Sequence, residues 1–167
     1  MPLPKCVKVD LDDKRSRGHL ESEGWRQIGA LLTYKGRIYR HGDSRVSMCR
    51  GEDILELAAQ IEWSGLLWKD PMVPEDECWE DMRDFLLNNK FHTYRVAKAG
   101  FIVCDASRVH LIGVHPVAGG LGLAVAMIRS HFDTTVWAGT YADNGPAKKL
   151  YKSLDMEVVK QQAVFHK

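Results

Sequence analysis

One short stretch limits this chain more than any other. Val114-His115-Pro116-Val117-Ala118-Gly119-Gly120-Leu121-Gly122-Leu123-Ala124 runs from a β-branched segment, through a proline, into three glycines within four positions. A strand that is stopped by Pro116 and followed by glycines that open a helix is an element switch, so the chain is built of both α and β layers. At such a switch the first backbone N–H groups of the helix have no partner within it, and the positive end of the helix dipole adds to them. Glycine lets a ligand approach the backbone closely. The result suits a phosphate or pyrophosphate. The same glycines standing alone would also serve as a plain turn before a core helix. They are not a dinucleotide-binding fingerprint, because the strand before them follows other strands, and the Lys-Ser/Thr of a P-loop is absent.

The rest of the chain is arranged around that switch. Residues 1–44 carry weak signals: a short strand at Cys6-Val7-Lys8-Val9, a charged loop or solvated helix over Asp10–Glu23, and a hairpin over Trp25–Tyr39 turning at Gly36. From Val46 the pattern sharpens. Val46–Met48 reads as a strand, Glu52–Trp63 as a helix with Ile54, Leu57, Ala58 and Ile61 on one face, and Glu75–Asn89 as a second helix. Strands follow at Thr93–Lys98, Phe101–Cys104 and Val109–Val114, the first pair turning at Gly100. The glycine turn opens a helix to about His131, Thr134–Thr140 is another strand, and Met156–Phe165 is the last. Between these two strands Asn144 caps a helix whose stripe is Ala147, Leu150, Tyr151 and Leu154. From residue 45 the order is β-α-α-β-β-β-α-β-α-β, a mixed α/β or α+β layered domain.

Composition narrows the function. The 167 residues fit one domain, 1–167, and with 45% apolar and 27% charged residues they resemble an average globular chain. A net charge of +1 argues against wholesale nucleic-acid binding, and no apolar run approaches the ~18 residues of a membrane span. The four cysteines are scattered, without metal-ligand spacing, so no metal site is expected and a reduced, cytoplasmic setting is. A homodimer stays open.

Twenty-two residues after Gly122 comes Asn144-x-x-Ala147-x-x-Leu150-Tyr151-x-x-Leu154-Asp155-Met156. This pair of segments resembles the signatures of the GNAT superfamily of acetyl-CoA-dependent N-acyltransferases. V-x-P-x-x-[QR]-G-x-G-x-[GA] aligns without gaps on Val114–Ala124, and N-x-x-A-x-x-L-Y-x-x-L-G-F on Asn144–Met156. The likeness covers about residues 45–167, the cofactor-binding core, with 1–44 as a divergent N-terminal part. Gly119 stands where the family has Gln or Arg, and Asp155-Met156 where it has Gly-Phe.

The resemblance implies a central mixed, mostly antiparallel sheet flanked by helices, and an N-acetyltransferase in which an amine attacks acetyl-CoA directly. It implies that Gly119, Gly120, Leu121, Gly122, Leu123 and Ala124 cradle the pyrophosphate of coenzyme A. The backbone of Ile112, Gly113 and Val114 would pair with the pantetheine arm, Asn144 and Ala147 would lie near its end, and Tyr151 would protonate the departing thiolate. By spacing alone, Tyr151 reads first as a core residue of the helical stripe, and the motif match is what turns it into a functional one; Asn144 is equally a plain cap. His110, on the strand leading to Val114, is the candidate general base; Asp105, Asp143 and a water relay are others. His115 reads as part of the turn. Lys148, Lys149 and Lys152 read as a solvated face that could also reach a phosphate. Trp63, Trp68 and Trp79 surround the loop between the first two helices. Trp68-Lys69-Asp70-Pro71 and Phe165-His166-Lys167 are similar to segments of GNAT enzymes that acetylate amino sugars, so Trp68, Asp70 and His166 are the substrate-binding candidates for a small-molecule amine. Acidic residues from Glu75 to Asp81 would instead suit a peptide amine. A non-catalytic module that binds coenzyme A or serves interaction is the reading from another class.

Overall fold

The computed structural model describes residues 6–63, 75–88 and 90–167, with backbone only at 62, 63 and 75–78. Eight strands form one sheet in the order β1-β8-β2-β7-β6-β5-β4-β3. In chain order they are β1 (Cys6–Asp10), β2 (Arg26–Arg37), β3 (Val46–Cys49), β4 (His92–Val96), β5 (Gly100–Cys104), β6 (Arg108–Val114), β7 (Thr135–Tyr141) and β8 (Glu157–His166). The helices are α1 (Lys14–Ser22), α2 (Leu55–Trp63), α3 (Glu75–Asn88), α4 (Leu123–His131) and α5 (Gly145–Ser153). Every pairing is antiparallel except β6 with β7.

The sheet is covered on both faces. Met127, Ile128 and Phe132 at α4, and Tyr151 and Leu154 at α5, pack with Ile102, Cys104, Val109, Val136 and Ala138 on one face. Ile54, Leu57, Ala58, Ile61 and Leu86 at α2 and α3 pack with Phe101 and Val103 on the other. β5 shows the cause in miniature: its five residues are all buried, and Phe101, Ile102, Val103 and Cys104 alternate between the two cores. A strand covered on both faces reads as a continuous apolar run. Each large side chain so buried contributes about 1.5–3 kcal/mol.

Two turns differ from the sequence reading. Trp25–Tyr39 is not a hairpin: β2 passes straight through Gly36. A Cβ there would lie 2.8 Å from Met156 Cγ and 3.0 Å from Met156 Cα, so this glycine serves close approach within a strand. The turn between β4 and β5 is made by Ala97–Ala99, with Ala97 at φ +43°, and not by Gly100. Gly100 opens β5, where a Cβ would lie 3.1 Å from both the Gly113 carbonyl oxygen and Met127 Cε. In both cases a packing demand wrote the glycine. The charged stretch after β1 is helix α1, which buries none of its residues. Strand β2 from the N-terminal part lies between β7 and β8, and β1 pairs with the outer edge of β8, so these two strands complete the sheet.

Candidate functional site

The site begins where two parallel strands part. β6 and β7 pair only at Arg108 with Trp137 and Val109 with Ala138. Both strands continue, to Val114 and Tyr141, held from outside by β5 and β2. Their facing edges therefore carry backbone donors and acceptors with no strand between them, the geometry that an extended amide-bearing ligand can fill.

At the far end of β6, His115 starts a 3-10 turn over Pro116–Ala118, its Nδ1 accepting from the Val117 amide at 3.2 Å. Gly119 follows in extended backbone, φ −61° and ψ 145°, a conformation open to any residue. Gly120 and Gly122 are left-handed, at φ +80° and +67°, which explains these two glycines by conformation. Gly122 is the N-cap of α4 and supplies no side chain, so the amides of the first turn have no side-chain acceptor. A Cβ on either left-handed glycine would meet nothing within 4 Å, so the space above the loop is open. Uncapped amides, a positive helix end and open space fit an anion.

At the end of β7, Asn144 caps α5, its Oδ1 accepting from the Ala147 amide at 3.2 Å. Tyr151, about two turns beyond the cap, is 3% exposed and tilts against the ring of Tyr34 at 5.2 Å. Burial pushes its phenol up to about 12, and Tyr34 adds to the shift, so the hydroxyl stays protonated throughout the neutral range. The departure at the end of the second signature is conservative in backbone: Asp155 holds φ +56°, the left-handed conformation that favours glycine, and Met156 is buried where the family has Phe.

His110 occupies a β-bulge. Val103 pairs with Leu111 and Cys104 with Val109, leaving His110 as the extra residue. It is also the first residue of β6 beyond the last β6–β7 pair, at the apex of the gap. Its ring stacks on Phe91 at 4.0 Å, and its Nε2 lies 2.8 Å from Asp105 Oδ2. Asp105 Oδ1 accepts the amides of Ser107 at 2.8 Å and Arg108 at 2.7 Å. Burial raises the Asp105 carboxyl, but those amides and His110 outweigh it and hold it below the usual range. Sequence reading named Asp105 only as an alternative base; the Asp105-Ala106-Ser107 stretch between two strands is the turn signal that could have placed it.

The other candidates are dispersed. His166 ends β8, in register with Arg26, and β2 stands between β8 and β7. Trp68 and Asp70 lie outside the described residues. Trp79 packs against the α2–α3 core. Lys148, Lys149 and Lys152 rim a surface cavity of about 480 Å³ floored by Tyr34, Met156 and Val158, which no residue of the β6–β7 gap lines. Lys148 Nζ donates to the Ala142 carbonyl at 2.9 Å.

No family model and no curated protein matches this chain by sequence. Solved structures do match by shape. A GCN5-related N-acetyltransferase from Sphaerobacter thermophilus superposes with a TM-score of 0.61 at 12% identity, over 98% of this chain and 60% of its own. One from Kribbella flavida gives 0.57 at 10% identity, over 96% and 67%. A tandem GNAT protein from the clavulanic acid biosynthesis pathway gives 0.59 at 11% identity, over 98% and 63%. The fold is the GNAT fold. The first of the two sequence signatures falls on the end of β6 and the start of α4, and the second on α5. This chain spans 60%, 67% and 63% of the three proteins it superposes on.

Proposed function

We propose that the chain is an N-acetyltransferase that moves an acetyl group from acetyl-CoA to the primary amine of a small molecule, both bound together. The observation that carries this reading is the parting of β6 from β7 beside an uncapped α4 N-terminus. Acetyl-CoA, when bound, supplies an activated thioester. Gly119–Ala124 would hold its pyrophosphate through backbone amides. The free edge of Ile112–Val114 would pair with its pantetheine, and Asn144 and Ala147 would border its end. Tyr151, kept protonated by burial, is the proton donor to the leaving sulfur. His110, at the apex of the gap, is the base for the amine.

Direct attack is favoured over an acyl-enzyme by the state of the cysteine beside β6. The Cys104 thiol is buried and pushed up to about 12, first by desolvation and then by the charge of Asp105, so it is a poor nucleophile. Among the described residues no helix is long and apolar enough to cross a membrane. A reduced cytoplasmic setting suits free Cys49 and buried Cys104.

Thermal shift with coenzyme A, acetyl-CoA and ATP tests the cofactor, since a ligand of the folded state alone raises its stability by mass action. We expect the first two to raise Tm and ATP to leave it unchanged. Thiol release from acetyl-CoA across amino sugars, other small amines and peptides then tests the acceptor. Transfer to peptides alone, untouched by Trp68→Ala and His166→Ala, would overturn the small-molecule assignment.

A further inference from the structure

His110 does not act alone in its surroundings. Its Nε2 faces the Asp105 carboxylate at 2.8 Å, and among the described residues its Nδ1 has no hydrogen-bond partner. An ionised carboxylate only accepts, so Nε2 carries the hydrogen, and in the neutral ring Nδ1 holds the lone pair. The Asp105 end of the pair is fixed three times over: Oδ1 takes the amides of Ser107 and Arg108, and the main-chain carbonyl accepts from His131 Nε2 at 2.9 Å. A carbonyl also only accepts, so His131 Nδ1 is the acceptor for the Tyr94 hydroxyl at 2.9 Å. Hydrogens thus run in one direction from Tyr94 on β4, through His131 on α4, to the Asp105 carbonyl in the turn before β6. The carboxylate of the same residue receives His110.

Resting on the acetyl-transfer reading, we propose that Asp105 is a positioning residue that fixes His110 as its Nε2–H tautomer, making Nδ1 the atom that takes the acceptor's proton. A proton arriving at Nδ1 creates an imidazolium whose positive charge faces the carboxylate across Nε2; the proton then leaves to solvent and the ring returns to the same tautomer. Phe91 stacks on the ring and brings no charge, and among the described residues Asp105 is the group that forms an ion pair with it. His131 is flanked by His92 and Tyr94 from β4, and by Arg40 after β2, whose guanidinium donates to the His131 carbonyl at 2.9 Å.

Asp105→Asn is the informative change. The amide oxygen can keep the two turn amides, while the amide nitrogen takes the place of Oδ2 and donates where the carboxylate accepted. The ring then has to present a lone pair at Nε2, and its hydrogen moves to Nδ1. Nitrogen-15 NMR of the imidazoles, with His110→Gln to assign the signal, reads this directly above neutral pH. We expect Nε2–H in the parent and Nδ1–H in Asp105→Asn, with kcat for acetyl transfer down by about 10²-fold, the scale of a displaced base. The carboxyl carbon of Asp105 should also titrate at higher pH in His110→Gln than in the parent. An Nδ1–H ring in the parent overturns the proposal without any variant, so the test survives if Asp105→Asn fails to fold. An unchanged tautomer and an unchanged pH profile of kcat/KM in Asp105→Asn overturn it as well. An Nε2–H ring in a protein that acetylates no amine would overturn the acetyl-transfer reading, and with it the role of Nδ1, while the pairing itself stands.

Discussion

At Tyr151 the core residue and the proposed acid are one side chain. The helical stripe Ala147, Leu150, Tyr151 and Leu154 turns the phenol inward, and the same loss of water that makes burial favourable for the ring disfavours its phenolate. A proton donor to a thiolate has to remain protonated until the sulfur departs, and a phenol held up to about 12 does so. Tyr151→Phe keeps the ring's contact with Tyr34 and removes only the hydroxyl. We expect Tm and coenzyme A binding to be retained and turnover to fall by roughly 10²–10⁴. Turnover close to that of the parent would remove the donor role, whereas a large drop in Tm would make Tyr151 a structural residue.

At the level of elements, the α4 start joins what was legible to what was not. The order of strands and helices from residue 45 was readable because periodicity and punctuation agree there: Pro116 and the glycines bound β6 and α4, and Asn144 marks the start of α5. Gly36 and Gly100 misled for one reason. A glycine needed by a neighbour's backbone or methyl group, such as that of Met156 or Met127, has the same letter as a glycine needed for a turn. The His110–Asp105 pair was half legible, because pairing across a bulge depends on register, which local pattern does not fix. Gly122 is the opposite case, a glycine required by its own φ of +67°. Gly122→Val should therefore lower stability by about 1–2 kcal/mol through backbone strain. It should also abolish the coenzyme A thermal shift, since its branched side chain would enter the open space above the α4 amides. A folded Gly122→Val protein with the parental shift would move the cofactor away from this loop.

Across the whole molecule, stability is tied to pH through a histidine that joins three elements. His131 on α4 bridges Tyr94 on β4 and the Asp105 carbonyl before β6, and it is half-buried. Burial lowers its pKa first, and the neighbouring His92 and Arg40 lower it further, against the raising effect of Asp105. The unfolded chain therefore takes up the proton before the folded one does as pH falls. Stability is full above the ordinary histidine value of about 6.5, declines as pH drops from there through the lower folded value, and levels off below it. The slope from one such group is at most about 1.4 kcal/mol per pH unit. Asp105 acts in a separate window: its folded value lies below the usual carboxylate range, so its contribution is lost only at more acidic pH. Urea unfolding at a series of pH values between about 5 and 7.5 should show the decline in the parent and a shallower one in His131→Gln, which has no proton to gain. The neutral amide can still donate to the Asp105 carbonyl, so the two proteins should differ mainly at the acidic end. Equal slopes would mean that the acid sensitivity of the fold arises elsewhere among its seven histidines.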